Sequence, residues 1–163
     1  MSIKRMLYRK WIFLYSKIVR EKATAEYIAR GWAIGMFYGC IAPMGTQLLL
    51  SLPTAFLLKG SKIGATIGTL ITNHVTVLFI YPVQCCVGDW LIGGDLSYPA
   101  IRDALADLLR EQSWEALMGI GSELIAAFFV GGALLTAIMT PLTYFTVKYL
   151  VNQYRRRRRA KAV

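Results

Sequence analysis

The sequence predicts an all-α integral membrane protein: one re-entrant helical hairpin, a broken second span, an acidic outer helix and a long C-terminal span. Three observations predict it. Apolar residues make up 56% of the 163-residue chain and charged residues only 17%, against roughly 45–50% and about 25% in ordinary soluble domains; mean hydropathy is +0.46. Three stretches carry no Asp, Glu, Lys or Arg: Gly31–Leu58 with 28 residues, Ile63–Gly88 with 26 and Leu124–Val147 with 24. Each exceeds the length of about 18 residues that marks a candidate span. The charges are also sorted. Residues 1–30 hold eight Lys/Arg and two Glu, and Lys59 and Lys62 stand between the first two runs. Residues 89–123 hold seven acids against Arg102 and Arg110, and residues 148–163 hold seven basic residues and no acid. Blocks that alternate in sign around apolar runs follow the positive-inside rule. These patterns exclude a soluble enzyme, a disordered chain and a disulfide-rich secreted scaffold. The net charge of +10 flanks spans instead of forming one basic face, so nucleic acid is not an expected partner.

Residues 1–30 form a basic segment in which Met6, Leu7, Trp11, Leu14, Tyr15, Ile18 and Val19 share one helical face. Such a helix lies on the inner leaflet with its cations near anionic head groups. The membrane core, residues 31–94, begins with a run interrupted at Ile41–Gln47. Pro43 removes a backbone donor and Gly45 permits the positive φ that a chain reversal needs. The halves on either side reach roughly 18 and 21 Å, short of a hydrocarbon core about 30 Å thick. Parity selects the hairpin over a kinked single span. If the first run enters and returns, every basic block falls on one side, with both termini cytoplasmic and the acidic segment outside.

The second run breaks at Thr72–Thr76, giving half-helices over Ile63–Ile71 and Val75–Ile92. Asn73 and His74 carry polar groups that hydrocarbon cannot satisfy. Small residues at Gly35 and Gly39, and at Gly64 and Gly68, recur at four-residue spacing and predict close helix contacts. Residues 95–121 hold the acidic extracytoplasmic helix, starting at Ser97–Tyr98–Pro99, with Ile101, Leu105, Leu108 and Leu109 on one stripe. Asp103, Asp107, Glu111 and Glu115 share the opposite surface. Residues 122–154 form the last membrane helix, with Gly131–Gly132 suited to a close crossing, and residues 155–163 form a basic cytoplasmic tail. Cys40, Cys85 and Cys86 lack the spacing of a metal or redox motif, so neither a metal nor another cofactor is expected.

Three segments taken in order carry a family resemblance: Ala29–Arg30–Gly31–Trp32–Ala33–Ile34–Gly35–Met36–Phe37–Tyr38–Gly39, then Pro43–Met44–Gly45–Thr46–Gln47, then Thr69–Leu70–Ile71–Thr72–Asn73–His74–Val75–Thr76. Together they resemble the signature of a bacterial inner-membrane family, domain of unknown function 2062. That signature is a Gly-x-Ala-x-Gly helix, a break with Pro, Gly and Gln, and a Thr-Trp-x-x-Asn-Pro-x-Thr break. This chain has Leu70 where Trp is common and His74 where Pro is common. The resemblance implies the fold and a multi-pass location in the bacterial inner (cytoplasmic) membrane; it brings no activity with it. A looser similarity of architecture links the chain to lipid-carrier and scramblase proteins with opposed re-entrant hairpins.

The function expected from these residues is a transporter or flippase-like protein for a small anionic or lipid-linked substrate, with its site between the two breaks. Arg30 stands at the inner mouth of the hairpin. Thr46 and Gln47 follow its break, where a half-helix N-terminus offers free N–H groups and positive dipole to an anion. Asn73, His74 and Thr76 would face them, and His74, the only histidine, is the residue type suited to coupling movement to protons. Pro43 and Gly45 shape the break. The alternative is a non-catalytic scaffold or accessory subunit whose interior polar residues only bond neighbouring helices. An enzyme is not expected: there is no nucleophile beside a base and no carboxylate pair within a span. Expected partners are anionic membrane lipids and further copies of the chain.

Overall fold

The computed structural model describes residues 23–43, 45–70, 74–95, 97–111 and 122–160. Among them the chain is all-helical, with six helices and no strand. They are α1 (Ala25–Ile41), α2 (Gln47–Leu57), α3 (Lys62–Thr69), α4 (His74–Ile92), α5 (Tyr98–Glu111) and α6 (Ser122–Ala160). The amphipathic segment Met6–Val19, together with Thr72, Asn73 and Glu115, lies outside the described residues. Among the described residues one helix, within α6, is long and apolar enough to cross a membrane.

Local chemistry sets the helix ends. The Thr24 side chain accepts from the Tyr27 N–H at 3.2 Å and starts α1, and Ser61 caps α3 through the Gly64 N–H at 2.9 Å. Each satisfies a donor that the first turn of a helix leaves orphaned. Gly45, at φ +99, makes the reversal between α1 and α2 that its lack of a Cβ allows. At the far end of α2, Gly60 N–H reaches the Ala55 carbonyl at 2.7 Å while Lys59 takes φ 50. This is a left-handed helix cap with lysine where glycine is usual.

Contacts between helices fix their directions. Arg30 meets Leu58, Tyr38 meets Thr54 at 2.9 Å, and Gln47 meets Ala42; α1 and α2 are therefore an antiparallel hairpin. Helix α3 returns parallel to α1, with Ser61 N–H on the Tyr27 carbonyl at 3.0 Å. The two backbones touch: a Cβ on Gly31 would lie 2.1 Å from the Ser61 carbonyl oxygen, and one on Gly35 would lie 2.3 Å from that of Ala65. Gly64 and Gly68 pack against Trp32 and Gly35, so these small-residue faces meet each other. Gly39 is buried as well.

Helix α6 is the spine. Its first half packs antiparallel on α4, where Leu124 and Phe128 cluster with Val77, Tyr81, Cys85 and Ile101 of α5. Its second half packs antiparallel on α1, where Val147 and Val151 join Ala25, Ile28, Ala29 and Trp32. It continues through Ala160 instead of ending near Tyr154. Arginine is a good helix former, and cations suit a helix C-terminus, so the basic tail extends the rod.

This arrangement sorts the charges by end. One end gathers Glu26 with Lys148, Arg155 with the Ala23 carbonyl, and Arg30 with Leu58. The other holds Asp89 and Glu123 around Gly94.

Candidate functional site

The α1 C-terminus leaves carbonyls without helical partners, and the first residue of α2 turns back to meet them. Gln47 Nε2 lies 3.4 Å from the Gly39 oxygen, 3.1 Å from that of Ala42 and 3.3 Å from Tyr81 Oη. Tyr81 in turn donates to the Ala42 carbonyl at 3.3 Å. Both side chains are 5% exposed. A glutamine amide has two N–H donors, here spread over three acceptors, so the break is closed from within by one amide and one phenol.

A polar seam runs from this break along α6. Residues Phe128, Gly132, Thr136 and Thr140 recur every fourth position and so share one helix face. Gln84 on α4 donates from Nε2 to the Phe128 carbonyl at 2.9 Å. A Cβ on Gly132 would lie 2.7 Å from that same Nε2 and 3.1 Å from the Cys40 oxygen. A side chain here would push the Gln84 amide aside, so glycine suits this junction of α1, α4 and α6. Along the seam, three buried atoms have no hydrogen-bond partner among the described residues: Gln84 Oε1 and Thr136 Oγ1 near the junction, and Thr140 Oγ1 about 12 Å further along α6. Gln84 is 3% exposed and Thr136 5%.

The seam's far end opens into a half-open cleft of about 330 Å³ between α1, α2 and α6. Its walls are mainly apolar, from Ala33, Ile34, Phe37 and Leu58, with the mutually bonded hydroxyls of Tyr38 and Thr54, Thr140 on one side and Arg30 at one end. Arg30 donates to the Leu58 carbonyl at 2.8 Å and so caps α2 as well. Nearby, Lys148 donates to Glu26 at 2.8 Å. That hydrogen bond, then the Lys148 charge and to a lesser degree that of Arg30, holds the Glu26 carboxyl below its ordinary value of 4.5.

The model of a family described as "uncharacterized protein conserved in bacteria", DUF2062, matches residues 8–160. The chain belongs to DUF2062. No curated protein and no solved structure matches it.

In this DUF2062 member the residues singled out from sequence fall into three groups. Pro43, Gly45, Thr46 and Gln47 are together at the turn, but Thr46 is exposed and uses its hydroxyl on the Pro43 carbonyl at 2.9 Å. Arg30 is at the opposite end of the hairpin, about 16 Å along α1 from its last residue, and does not share a site with Gln47. His74 opens α4, Thr76 is half-buried two residues further on, and Asn73 lies outside the described residues. Tyr81, Gln84, Thr136 and Thr140 were not among the sequence candidates. Gln84 had a legible signal, as an amide inside an uncharged run; the threonines had none. Among the described residues no group of three His, Cys, Asp or Glu is placed to hold a metal ion.

Proposed function

We propose that this DUF2062 protein is a multi-pass inner-membrane protein with transporter or flippase-like activity toward a small anionic or lipid-linked substrate. The observation that carries the reading is the seam. A buried polar atom without a partner costs about 1–3 kcal/mol, and native proteins hold few of them. A scaffold keeps its fold better with apolar residues at Gln84, Thr136 and Thr140. A path for a polar group through an apolar bundle needs what these residues offer.

The membrane placement has separate support. Large apolar side chains are exposed on several helices, among them Leu49 (74%), Phe79 (68%), Trp90 (78%) and Phe145 (66%). Only 33% of the most apolar stretch of α6 is buried, whereas the core helix of a soluble protein is mostly buried. The α1–α2 turn sits beside Gly132, about 24 Å along α6 from Lys148 and about 15 Å from its start. In the proposed topology α1 and α2 enter and return as a re-entrant hairpin, α3 with α4 cross outward, and α6 crosses back. The basic end then faces the cytoplasm and anionic lipids. Gln47 and Tyr81 are assigned to holding the break shut, and the seam to passage.

The test is headgroup exchange in proteoliposomes. Phosphatidylglycerol carrying a fluorescent headgroup is bleached from outside with dithionite, and the protected inner half should become accessible faster than in empty vesicles. Thr136→Val with Gln84→Leu should slow it while folded yield is kept. Wild-type protein no faster than empty vesicles contradicts the transport reading and leaves the scaffold.

A further inference from the structure

We infer that the α1–α2–α6 cleft is a binding site for an anionic phospholipid, with one acyl chain in the cleft and the phosphate on Arg30. The inference deepens the proposed function and rests on its membrane placement. Three features of the cleft point to this ligand. First, its size: about 330 Å³ is at the bottom of the roughly 300–1,000 Å³ range of small-ligand sites, room for part of one chain. Second, its shape and walls: it is half-open and lined mainly by apolar surface, from Ala33, Ile34, Phe37 and Leu58, while the Tyr38 and Thr54 hydroxyls on its wall bond each other at 2.9 Å, so an aliphatic chain meets mostly hydrocarbon. Third, its charge: Arg30 closes one end, while the nearby carboxylate, Glu26, is already held by Lys148 at 2.8 Å. The local balance of two cations and one carboxylate leaves positive charge for an anion. The Leu58 carbonyl takes one bond from Arg30, and a guanidinium with five N–H donors retains the planar fork that suits phosphate. Thr140 Oγ1, buried and without a partner among the described residues, lines the same cleft. It offers a hydroxyl to an ester oxygen at the chain's head.

An amphiphile bound here places its headgroup at the basic end of the bundle and its ester region at the foot of the seam. The cleft is thus the loading position for the path proposed above, and its ligand is a lipid, not a free anion.

The experiment follows thermal unfolding of the full chain in a neutral detergent. It is titrated with dioleoylphosphatidylglycerol, with dioleoylphosphatidylcholine and with inorganic phosphate. Phosphatidylglycerol should raise the midpoint saturably, and the other two should not. Arg30→Gln should raise the half-saturating concentration by about tenfold or more, the loss of a charge-assisted bond pair. Because Arg30 also caps α2, a second variant leaves it in place: Leu58→Trp, at a half-exposed position, fills the cleft and should weaken binding similarly. Lys59→Gln removes a neighbouring charge outside the cleft and should leave half-saturation within about twofold. Equal shifts with phosphatidylcholine, a shift with phosphate alone, or an unchanged half-saturation in Leu58→Trp overturns the inference. Binding without headgroup exchange would sink the transport reading alone, and exchange without selective binding would sink this one alone.

Discussion

Gln47 reaches across the α1–α2 break to Tyr81, and both side chains converge on the carbonyl of Ala42. This pairing joins the hairpin to α4 inside an apolar bundle, where free carbonyls are most expensive. Gln47→Leu should leave the carbonyls of Gly39 and Ala42 with fewer donors and destabilise the protein by about 2–4 kcal/mol. Tyr81→Phe removes one donor and should cost about 1–2 kcal/mol. Reversible unfolding in mixed detergent measures both. A double mutant whose loss equals the sum of the singles would show that the two residues act apart.

The backbone contact between α1 and α3 gives a second expectation. A Cβ on Gly68 would lie 2.9 Å from the Trp32 carbonyl oxygen and 3.0 Å from the Gly35 Cα, atoms that cannot turn aside. Gly68→Leu should therefore cut folded yield severely. A Cβ on Gly45 meets no atom within 4 Å, so Gly45→Ala should lose only the strain of its positive φ, about 1–2 kcal/mol. Size-exclusion profiles in detergent separate the two outcomes.

Lys59 predicts a gain. It occupies the left-handed cap of α2 at φ 50, and the glycine beside it is committed to Gly31, 3.0 Å from a Gly60 Cβ to the Gly31 nitrogen. Lys59→Gly should raise stability by up to about 1 kcal/mol, read as a higher unfolding midpoint. A lower midpoint would show that the Lys59 charge outweighs its strain.

Much of this was legible in the sequence. Pro43 and Gly45 marked the break because few residues end a helix and permit a reversal. The charge blocks gave the two ends because burying them is prohibitive. What was not legible was which faces meet. Helix α6 is apolar on most sides, so periodicity cannot say that Thr136 and Thr140 face α1 while Leu134 and Ile138 face out. Tyr81 carries no signal of its own inside an apolar run, and only the fold brings it to Ala42. Arg30, at the mouth of the hairpin, and Gln47, at its break, group as one site in the sequence because both offer N–H donors to an anion, yet most of α1 lies between them. The Arg155–Arg159 block read as a tail because its composition changes, yet nothing in it breaks a helix.

Glu26 links pH to the basic end. Its folded pKa lies below the ordinary 4.5, chiefly through the hydrogen bond from Lys148. A depressed carboxylate pKa adds stability that is fully present above the unfolded value and lost as pH falls through the folded one. The α1–α6 contact should therefore be constant above about pH 5.5 and weaken below about pH 4.5. Because the pair is exposed, the effect should be small and salt-sensitive. Comparing wild type with Glu26→Gln in unfolding experiments from pH 3 to 7 checks this: the two curves should converge at the acid end. Divergence there instead would assign the acid dependence to another group.

The central claim is that the first apolar run enters the membrane and returns, keeping Arg30, Lys59, Lys62 and the Arg155–Arg158 block on one side. Topology reporters fused after residues 60, 105 and 163 test it most directly. The account predicts cytoplasmic, external and cytoplasmic signals in that order. A fusion after residue 163 that reports an external C-terminus would contradict the account, because the hairpin topology is assigned to keep that basic block inside.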